Sequence, residues 1–310
     1  MRIAITGISG RLGGLLARHL HREHTVVGID RRPFVGAPRD VEMHRIDIRR
    51  KRCEEIFRSG RFDAVVHLNL MHDPRASSRD HYTFNIQGTD RVMQYCVRHS
   101  IPKFVLLSSA NVYGPRPDND QFLGEDTPLM GAERFGLIGD LVAVDMLAQS
   151  FFWKHPQVKT VILRPVHIVG AVHNAPSNYL RLEKPPRLLG FDPMVQIVHE
   201  EDVVRALARA CEPEAEGIFN VPGCEAAPLT TLLRMAGGQV VDFPHFIAQP
   251  VLEGLFRWRL TSFPSPEIDH LRYVCMVDGA RARDSLGYRP RYDLDATMDH
   301  LRMTRLLEAS

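Results

Sequence analysis

The chain has 310 residues, 44% hydrophobic and 25% charged, with a net charge of +2. That length suits one large or two intimate domains, and the composition is that of an ordinary globular protein whose core needs no disulfide staples. So small a charge argues against nucleic acid or an anionic membrane as a partner, and no apolar run approaches the roughly 20 residues of a membrane helix. Five cysteines, Cys53, Cys96, Cys211, Cys224 and Cys275, are scattered singly, which fits core positions in a reducing cytoplasm. No signal-like apolar segment precedes Ile3-Ala4-Ile5, and a cytoplasmic location is expected.

Arg2–Thr6 reads as a short buried strand, Gly7–Gly14 as a glycine-rich turn, and Leu12–His21 as a helix with Leu12, Leu15, Leu16 and His19 near one face. Thr25–Ile29 is a second strand, ending at Asp30. The basic run Arg49–Arg52 reads as the solvated start of a helix. Ala64–Leu68, Phe104–Leu107 and Val161–Leu163 are further strands, separated by helices over about Asp80–Arg98 and Ile138–Trp153. Strands alternating with long helices predict an α/β fold with a doubly wound parallel Rossmann sheet. After Arg164 the pattern changes. His173–Pro193, rich in Pro, Asn and Gly, reads as an ordered loop region rather than a βα unit. A helix over Glu201–Cys211 and a strand over Gly217–Val221 are placed to return to the sheet. From about Pro222 short helices mix with proline-rich turns such as Phe263-Pro264-Ser265-Pro266. The expected division is a dinucleotide-binding domain of residues 1–165 plus about 195–222, and a smaller discontinuous C-terminal substrate domain of 166–194 and 223–310.

The sharpest motif is Thr6-Gly7-Ile8-Ser9-Gly10-Arg11-Leu12-Gly13, because it follows a strand and opens a helix. Gly7 allows the tight turn, Gly10 lets the backbone approach a pyrophosphate, and Gly13 lets helix and strand pack closely. The helix then offers unpaired N–H groups and a partial positive charge to phosphates. A glycine turn without a ligand is the plainer reading. It loses ground because Asp30 ends the second strand about 20 residues on, where a carboxylate accepts hydrogen bonds from the adenosine ribose. Asp30 would repel a 2′-phosphate, which favours NAD over NADP, although Arg31 and Arg32 beside it are able to hold one.

Together with further motifs, the turn resembles the extended short-chain dehydrogenase/reductase superfamily of the NAD-dependent epimerase/dehydratase type, over nearly the whole chain. Asp47-Ile48 resembles the pair at the adenine ring, and His67-Leu68-Asn69 the H-L-A-A segment lining the cofactor, with Asn69 in place of an alanine. Asn85-Ile86-Gln87-Gly88-Thr89 matches N-x-x-G-T, and Ser108-Ser109-Ala110-Asn111-Val112-Tyr113-Gly114 matches the strand end carrying the catalytic serine, here Ser109. Leu163-Arg164-Pro165 resembles the segment beside the nicotinamide, and His199-Glu200-Glu201-Asp202-Val203 resembles the H-V-D-D-V helix start. The resemblance implies that NAD is held by Gly7, Ser9, Gly10, Arg11, Leu12 and Gly13 of the turn. It adds Asp30, Arg31, Asp47, Ile48, Leu68, Asn69, Asn85, Leu107 and Pro165 at the strand ends. It also implies a homodimer built from the Asp80–Arg98 and Ile138–Trp153 helices.

In that superfamily a tyrosine moves the proton on the substrate oxygen, and a lysine four residues later lowers the tyrosine's pKa and binds the nicotinamide ribose. Here the natural register places Phe135 and Gly139 at those positions; a shifted register places Leu137 and Leu141. No tyrosine in the chain has a lysine four residues on. Acid–base groups contribute about 10²–10⁴-fold, so either another group acts or no hydride chemistry occurs.

His167, just past Leu163-Arg164-Pro165, is the replacement candidate; a hydrogen-bonded substrate or loop contact is its plainer reading. Tyr113 reads as structural, Asp140 as a solvated helix N-terminal acid, and His72 and His173 as loop residues facing the expected cleft. Asn111, His167, Asn174, Asn178 and Tyr179 are the candidate substrate contacts, although Asn and Ser in 173–181 also serve turn geometry. The fifteen histidines show no H-x-x-x-H or H-E-x-x-H spacing on a plausible helix, and no metal site is expected. Two functions follow. One is an NAD-binding enzyme acting on a small polar, sugar-nucleotide-like substrate by non-standard acid–base chemistry. The other is a non-catalytic dinucleotide sensor or partner-binding regulator, as in the NmrA-like relatives that lack the tyrosine and lysine.

Overall fold

Uninterrupted apolar runs such as Ile3-Ala4-Ile5 and Ala64-Val65-Val66 suit strands covered on both faces. In the computed structural model, which describes residues 1–71, 76–132, 138–244, 254, 258 and 265–309, those residues are wholly buried. They lie in the middle of a seven-stranded sheet with the order β10-β6-β5-β4-β1-β2-β3. The strands are β1 (Arg2–Thr6), β2 (Thr25–Asp30), β3 (Glu42–Arg45), β4 (Ala64–His67), β5 (Lys103–Leu107), β6 (Lys159–Pro165) and β10 (Gly217–Val221). Every pairing among them is parallel, so all seven carboxyl ends share one edge.

The pleat divides the core. Ile3 and Ile5 face a layer with Leu16, Ala17 and Leu20 of α1 (Arg11–Leu20) and Val203 and Leu207 of α7 (Glu200–Ala210). Ala4 faces the opposite layer, with Phe57 of α2 (Lys51–Gly60), Val92 and Met93 of α4 (Gln87–Arg98) and Phe151 of α5 (Gly139–Lys154). A third core gathers Val169, Leu180, Ile197, Leu232 and Leu301 around two small sheets. The first, of order β11-β9-β7, is built from β7 (His167–Val169), β9 (Met194–His199) and β11 (Ala226–Pro228). The second pairs β8 (Pro186–Leu188) with β12 (Val241–Phe243). Among the described residues no helix is long and apolar enough to cross a membrane.

The structure departs from the sequence reading in several places. His173–Pro193 is not only loop: it holds α6 (Ala175–Leu180) and β8. Asn174 caps α6, its Oδ1 accepting the Ser177 amide at 2.8 Å, and Pro176 sits in the first turn, where a missing N–H leaves nothing unpaired. On α1 the buried face is Gly13, Gly14, Leu16, Ala17 and Leu20; His19 is exposed. The Asp80–Arg98 helix is three pieces in line: α3 (Ser78–His81), a π-helical turn (Tyr82–Ile86) and α4. The π turn buries Phe84 and Asn85 together.

Between β6 and α5, two fully buried charges meet. The Arg164 guanidinium donates to both oxygens of Asp145, Nη2 to Oδ1 at 2.6 Å and Nε to Oδ2 at 2.9 Å. Its third nitrogen donates to the Tyr113 hydroxyl at 2.8 Å and the Glu125 carbonyl at 3.0 Å. Ser108 donates to Asp145 Oδ2 at 2.6 Å and Gln149 to Oδ1 at 2.9 Å. Burial opposes the charge on Arg164, but the Asp145 carboxylate outweighs it and raises the guanidinium pKa further. Removing one member leaves the other charge buried alone, at about 3–5 kcal/mol. Asp145→Ala is therefore expected to lower the unfolding free energy by about that amount in urea titration, with Asp145→Leu/Arg164→Met recovering much of it. A loss of under about 1 kcal/mol for Asp145→Ala would contradict this account of the pair.

Candidate active site

At the carboxyl edge of the sheet, the turn after β1 is closed by backbone contact. Gly7 has φ +80°, and a Cβ there would lie 2.9 Å from the Leu68 carbonyl carbon. A Cβ on Gly13 would lie 2.5 Å from the Gly7 oxygen. Gly10 begins α1 with no side-chain cap, and the first turn of α1 carries no acidic residue. The leading amides of the helix are thus left without a side-chain acceptor, as an anion site requires. Asp30, buried at the end of β2, accepts the Ser9 amide at 3.1 Å and the Arg32 amide at 2.9 Å. Ser9 in turn donates its hydroxyl to the Arg32 carbonyl at 2.9 Å. Asp30 therefore ties the glycine turn to the β2 end and stands directly beside it.

Several of the other motif residues have their polar atoms already engaged. Arg11 forks onto Glu200 at the start of α7, Nη2 to Oε1 at 2.5 Å and Nε to Oε2 at 3.1 Å. The carboxylate is fully buried while Arg11 is half exposed, and the pairing raises the Arg11 pKa. Asp47 is held by Arg49, 2.6 Å from Nη2. Burial pushes Asp47 up, but the Arg49 hydrogen bonds outweigh it and hold the carboxyl below its ordinary value. The Ile48 side chain is in the core, against the Gly88 position. Asn85 is spent on Met71, accepting its amide at 2.6 Å and donating to its carbonyl at 3.0 Å. Leu12, Leu68, Asn69 and Leu107 are half-buried along the edge, Pro165 is buried, and Arg31 lies exposed with its guanidinium over the Phe84 ring. His67 is buried between Thr6 (2.7 Å) and Thr89 (3.0 Å), and burial lowers its pKa to about 3.

Past β5, Ser109 caps a single 3-10 turn (Ala110–Val112), its Oγ accepting the Asn111 amide at 3.2 Å. Tyr113 is structural: buried, it donates to Asn220 Oδ1 at 2.8 Å and accepts from Arg164. Asp140 stands 3.5 Å from His81. Of the positions expected to replace the tyrosine and lysine, Phe135 and Leu137 lie outside the described residues, as does His72; Gly139 is the first residue of α5 and Leu141 lies in its first turn.

Beyond the end of β6, a half-open cavity of about 70 Å³ brings Asn111, His167 and Tyr179 together. His270, which sequence reasoning missed, joins them from the 3-10 turn Ser265–Leu271, its ring 5.3 Å from that of His167 and nearly perpendicular to it. The rest of the lining is apolar, including Leu180, Ile197, Leu229 and Leu232. Tyr179 turns its hydroxyl away to the Pro186 carbonyl at 2.7 Å. Asn174 spends its amide group on Ile168 and its oxygen on Ser177, and Asn178 is exposed. Among the described residues no group of three or more His, Cys, Asp or Glu is arranged to hold a metal.

The model of the NAD dependent epimerase/dehydratase family matches residues 3–221. The chain belongs to that family. Among curated proteins it is 27% identical, over 97% of its length and 83% of the relative's, to an uncharacterized protein of Mycobacterium tuberculosis strain H37Rv. Solved structures share its fold. MoeE5 in complex with UDP-glucose and NAD has a TM-score of 0.75 at 18% identity, covering 100% of both chains. UDP-glucuronic acid 4-epimerase from Bacillus cereus, in complex with UDP-glucuronic acid and NAD, has a TM-score of 0.76 at 18% identity, covering 99% of this chain and 100% of that one.

The family's cofactor is NAD, and the cradle fits it: two glycines no side chain can replace, an uncapped helix start and a buried acid beside them. Four of the histidines, His67, His167, His199 and His270, are held uncharged at neutral pH by burial. Burial lowers His67 and His270 to about 3 and His167 and His199 to about 4, with neighbouring imidazoles adding to the shift at His270 and His199. Their unfolded value is about 6.5, so between about pH 4 and 6.5 the unfolded chain binds more protons than the folded one. Stability then rises with pH, is fully present above about 6.5, and is lost as pH falls toward 4. Urea midpoints are expected to drop steadily from pH 7 to pH 5, and less so in His270→Leu; a flat profile would refute the buried neutral imidazoles.

Proposed function

We propose that the chain is an NAD-holding enzyme of the epimerase/dehydratase type, acting on a small oxygen-bearing substrate without the family's tyrosine as proton carrier. The observation that carries this is the juxtaposition at one sheet edge of the Gly7–Gly13 cradle with Asp30 and a separate cavity bearing His167. Bound there, NAD supplies a hydride acceptor and donor. The turn amides of α1 hold the pyrophosphate, and Asp30 takes the adenosine ribose hydroxyls and disfavours a 2′-phosphate. Arg11, fixed by Glu200, flanks the phosphates from the solvent side. Ser109 orients the substrate oxygen. His167, with a pKa of about 4, carries a proton in roughly one molecule in a thousand at pH 7, so it serves as a hydrogen-bond partner and weak base rather than as an acid. Water then completes the proton transfer. The lobe of 166–194 and 223–310 is the substrate side. The sugar nucleotides held by the structural neighbours, UDP-glucose and UDP-glucuronic acid, are the first class to test.

A non-catalytic dinucleotide sensor is the second reading, supported by Gly139 at the lysine position. Both readings require the cradle. Protein denatured after purification is expected to release stoichiometric NAD, or the apo form to bind NAD more tightly than NADP in calorimetry. Asp30→Asn should weaken NAD by roughly 10–100-fold, the worth of hydrogen bonds to a charged group. No binding of either dinucleotide at millimolar concentration would refute the proposal. If NAD binds, turnover lost in Ser109→Ala and reduced in His167→Ala supports the enzyme; absence of any turnover across hydroxyl and carbonyl substrates supports the sensor.

We also infer a homodimer through α4 and α5. Met146 and Trp153, seven residues apart and so on one face of α5, are 57% and 78% exposed and offer a second copy an apolar stripe. Sedimentation is expected to give a dimer, and Trp153→Glu/Met146→Glu a monomer with unchanged circular dichroism; a monomeric parent would overturn this.

A further inference from the structure

The segment that reads as a polar substrate loop has little polarity to offer. Asn174 is consumed by α6 and the Ile168 carbonyl. The Arg181 guanidinium is turned inward, donating to the Val172 carbonyl at 3.0 Å, to Ser177 Oγ at 2.8 Å and to the Gly170 carbonyl. Among the described residues, what remains facing the cavity is apolar surface from β9, α6 and α8 (Leu229–Met235), with Asn111, His167 and His270 as the polar members. No hydrogen bond within the described residues occupies the side-chain amide of Asn111 or the ring nitrogens of His167 and His270. Three hydrogen-bonding groups, drawn from the 3-10 turn after β5, the start of β7 and the turn at 265–271, therefore converge on one apolar space without partners among the described residues. Buried polar groups are ordinarily paired, and an arrangement that leaves several unpaired around a cavity is built for a ligand that pairs them.

We propose that this cavity takes an uncharged, largely apolar substrate end carrying a hydroxyl or carbonyl oxygen, held between the His167 and His270 imidazoles and the Asn111 amide, and that it rejects phosphate and carboxylate. Among the described lining residues there is no cation to neutralise an anion. Burial keeps both imidazoles uncharged near pH 7. An anion moved into such a space loses its hydration without compensation, whereas an alcohol or ketone loses little and recovers it from the imidazoles. A volume of about 70 Å³ suits a small ring or a branched chain end rather than a nucleoside diphosphate. This rests on the reading of the sheet edge as the NAD site, and it narrows the part of the substrate that enters the cavity to a neutral, oxygenated, carbon-rich group, leaving any charged part outside it.

The imidazole C2–H resonances of His167 and His270, assigned from His167→Leu and His270→Leu, read the cavity directly. The NAD-saturated protein is titrated at pH 7 with cyclopentanol, with glucose 1-phosphate and with UDP. Cyclopentanol is expected to shift both resonances saturably in the millimolar range, and the two anions to leave them in place up to ten times that concentration. Val195→Phe, which fills the cavity, should abolish the cyclopentanol shift while NAD affinity stays within twofold, showing that the fold is intact. Saturable shifts from UDP or glucose 1-phosphate, or none from cyclopentanol, would overturn the assignment. NAD binding is measured in the same samples by calorimetry, so failure of the cofactor site and failure of the cavity assignment are told apart; without NAD binding the titration on the apo protein still reads the cavity.

Discussion

The fork between Arg164 and Asp145 fixes the relation on which the candidate site depends. Two charges with no exposure to water would each cost several kcal/mol to bury, and their attraction offsets that only because every donor and acceptor is also satisfied. The partners come from five places in the chain: Ser108 at the end of β5, Tyr113 after the 3-10 turn, the Glu125 carbonyl, Gln149 on α5 and Asn220 of β10 through Tyr113. The network ties α5, through Asp145 and Gln149, to Ser108 and Arg164 at the ends of β5 and β6. Ser109 follows Ser108 directly, so it leaves the sheet from an anchored strand end without belonging to the network itself.

Much of this was legible in the sequence, for reasons that differ by residue. Central parallel strands are covered on both faces, so Ile3-Ala4-Ile5 and Ala64-Val65-Val66 announce themselves as apolar runs. The edge strand β3, Glu42–Arg45, does not, because only its pairing with β2 makes it a strand; no residue in it is fully buried. The glycine turn was legible because its geometry admits no side chain at Gly7 and Gly13. Helix α6 was hidden by its own Pro176: a proline reads as a breaker unless its place in a first turn is known, and that place is set by Asn174, two residues earlier. His270 was not legible at all. It reaches the cavity from a turn about a hundred residues beyond His167, within a proline-rich stretch that has no periodicity to read.

Residue type and residue availability also part company. Asp47, Asn85, Asn174 and Tyr179 have the donors and acceptors expected of ligand contacts, but the fold spends those atoms on Arg49, Met71, Ser177 and Pro186. A sequence shows which groups exist and not which remain unpaired, since pairing is decided by loops that fold back from elsewhere. Asn111, His167 and His270 gain weight for the same reason. Among the described residues their side chains make no hydrogen bond to the rest of the chain.

Glu200 shows how the two halves of the edge are joined. In the motif it occupies, the family pattern has an apolar residue, and here a carboxylate is buried beneath Gly170, where a Cβ would lie 2.8 Å from its Cγ. That glycine follows β7, which carries His167, and the carboxylate reaches across to Arg11 in the first turn of α1. A backbone with φ +139° at Gly170 is open to glycine and strained for other residues, so the position of the buried acid and the course of the chain past the cavity are fixed together. One ion pair, whose acid has no access to water, thus joins the start of the glycine-turn helix to the turn that follows β7, and neither can be repositioned alone without leaving the buried carboxylate short of its counter-charge.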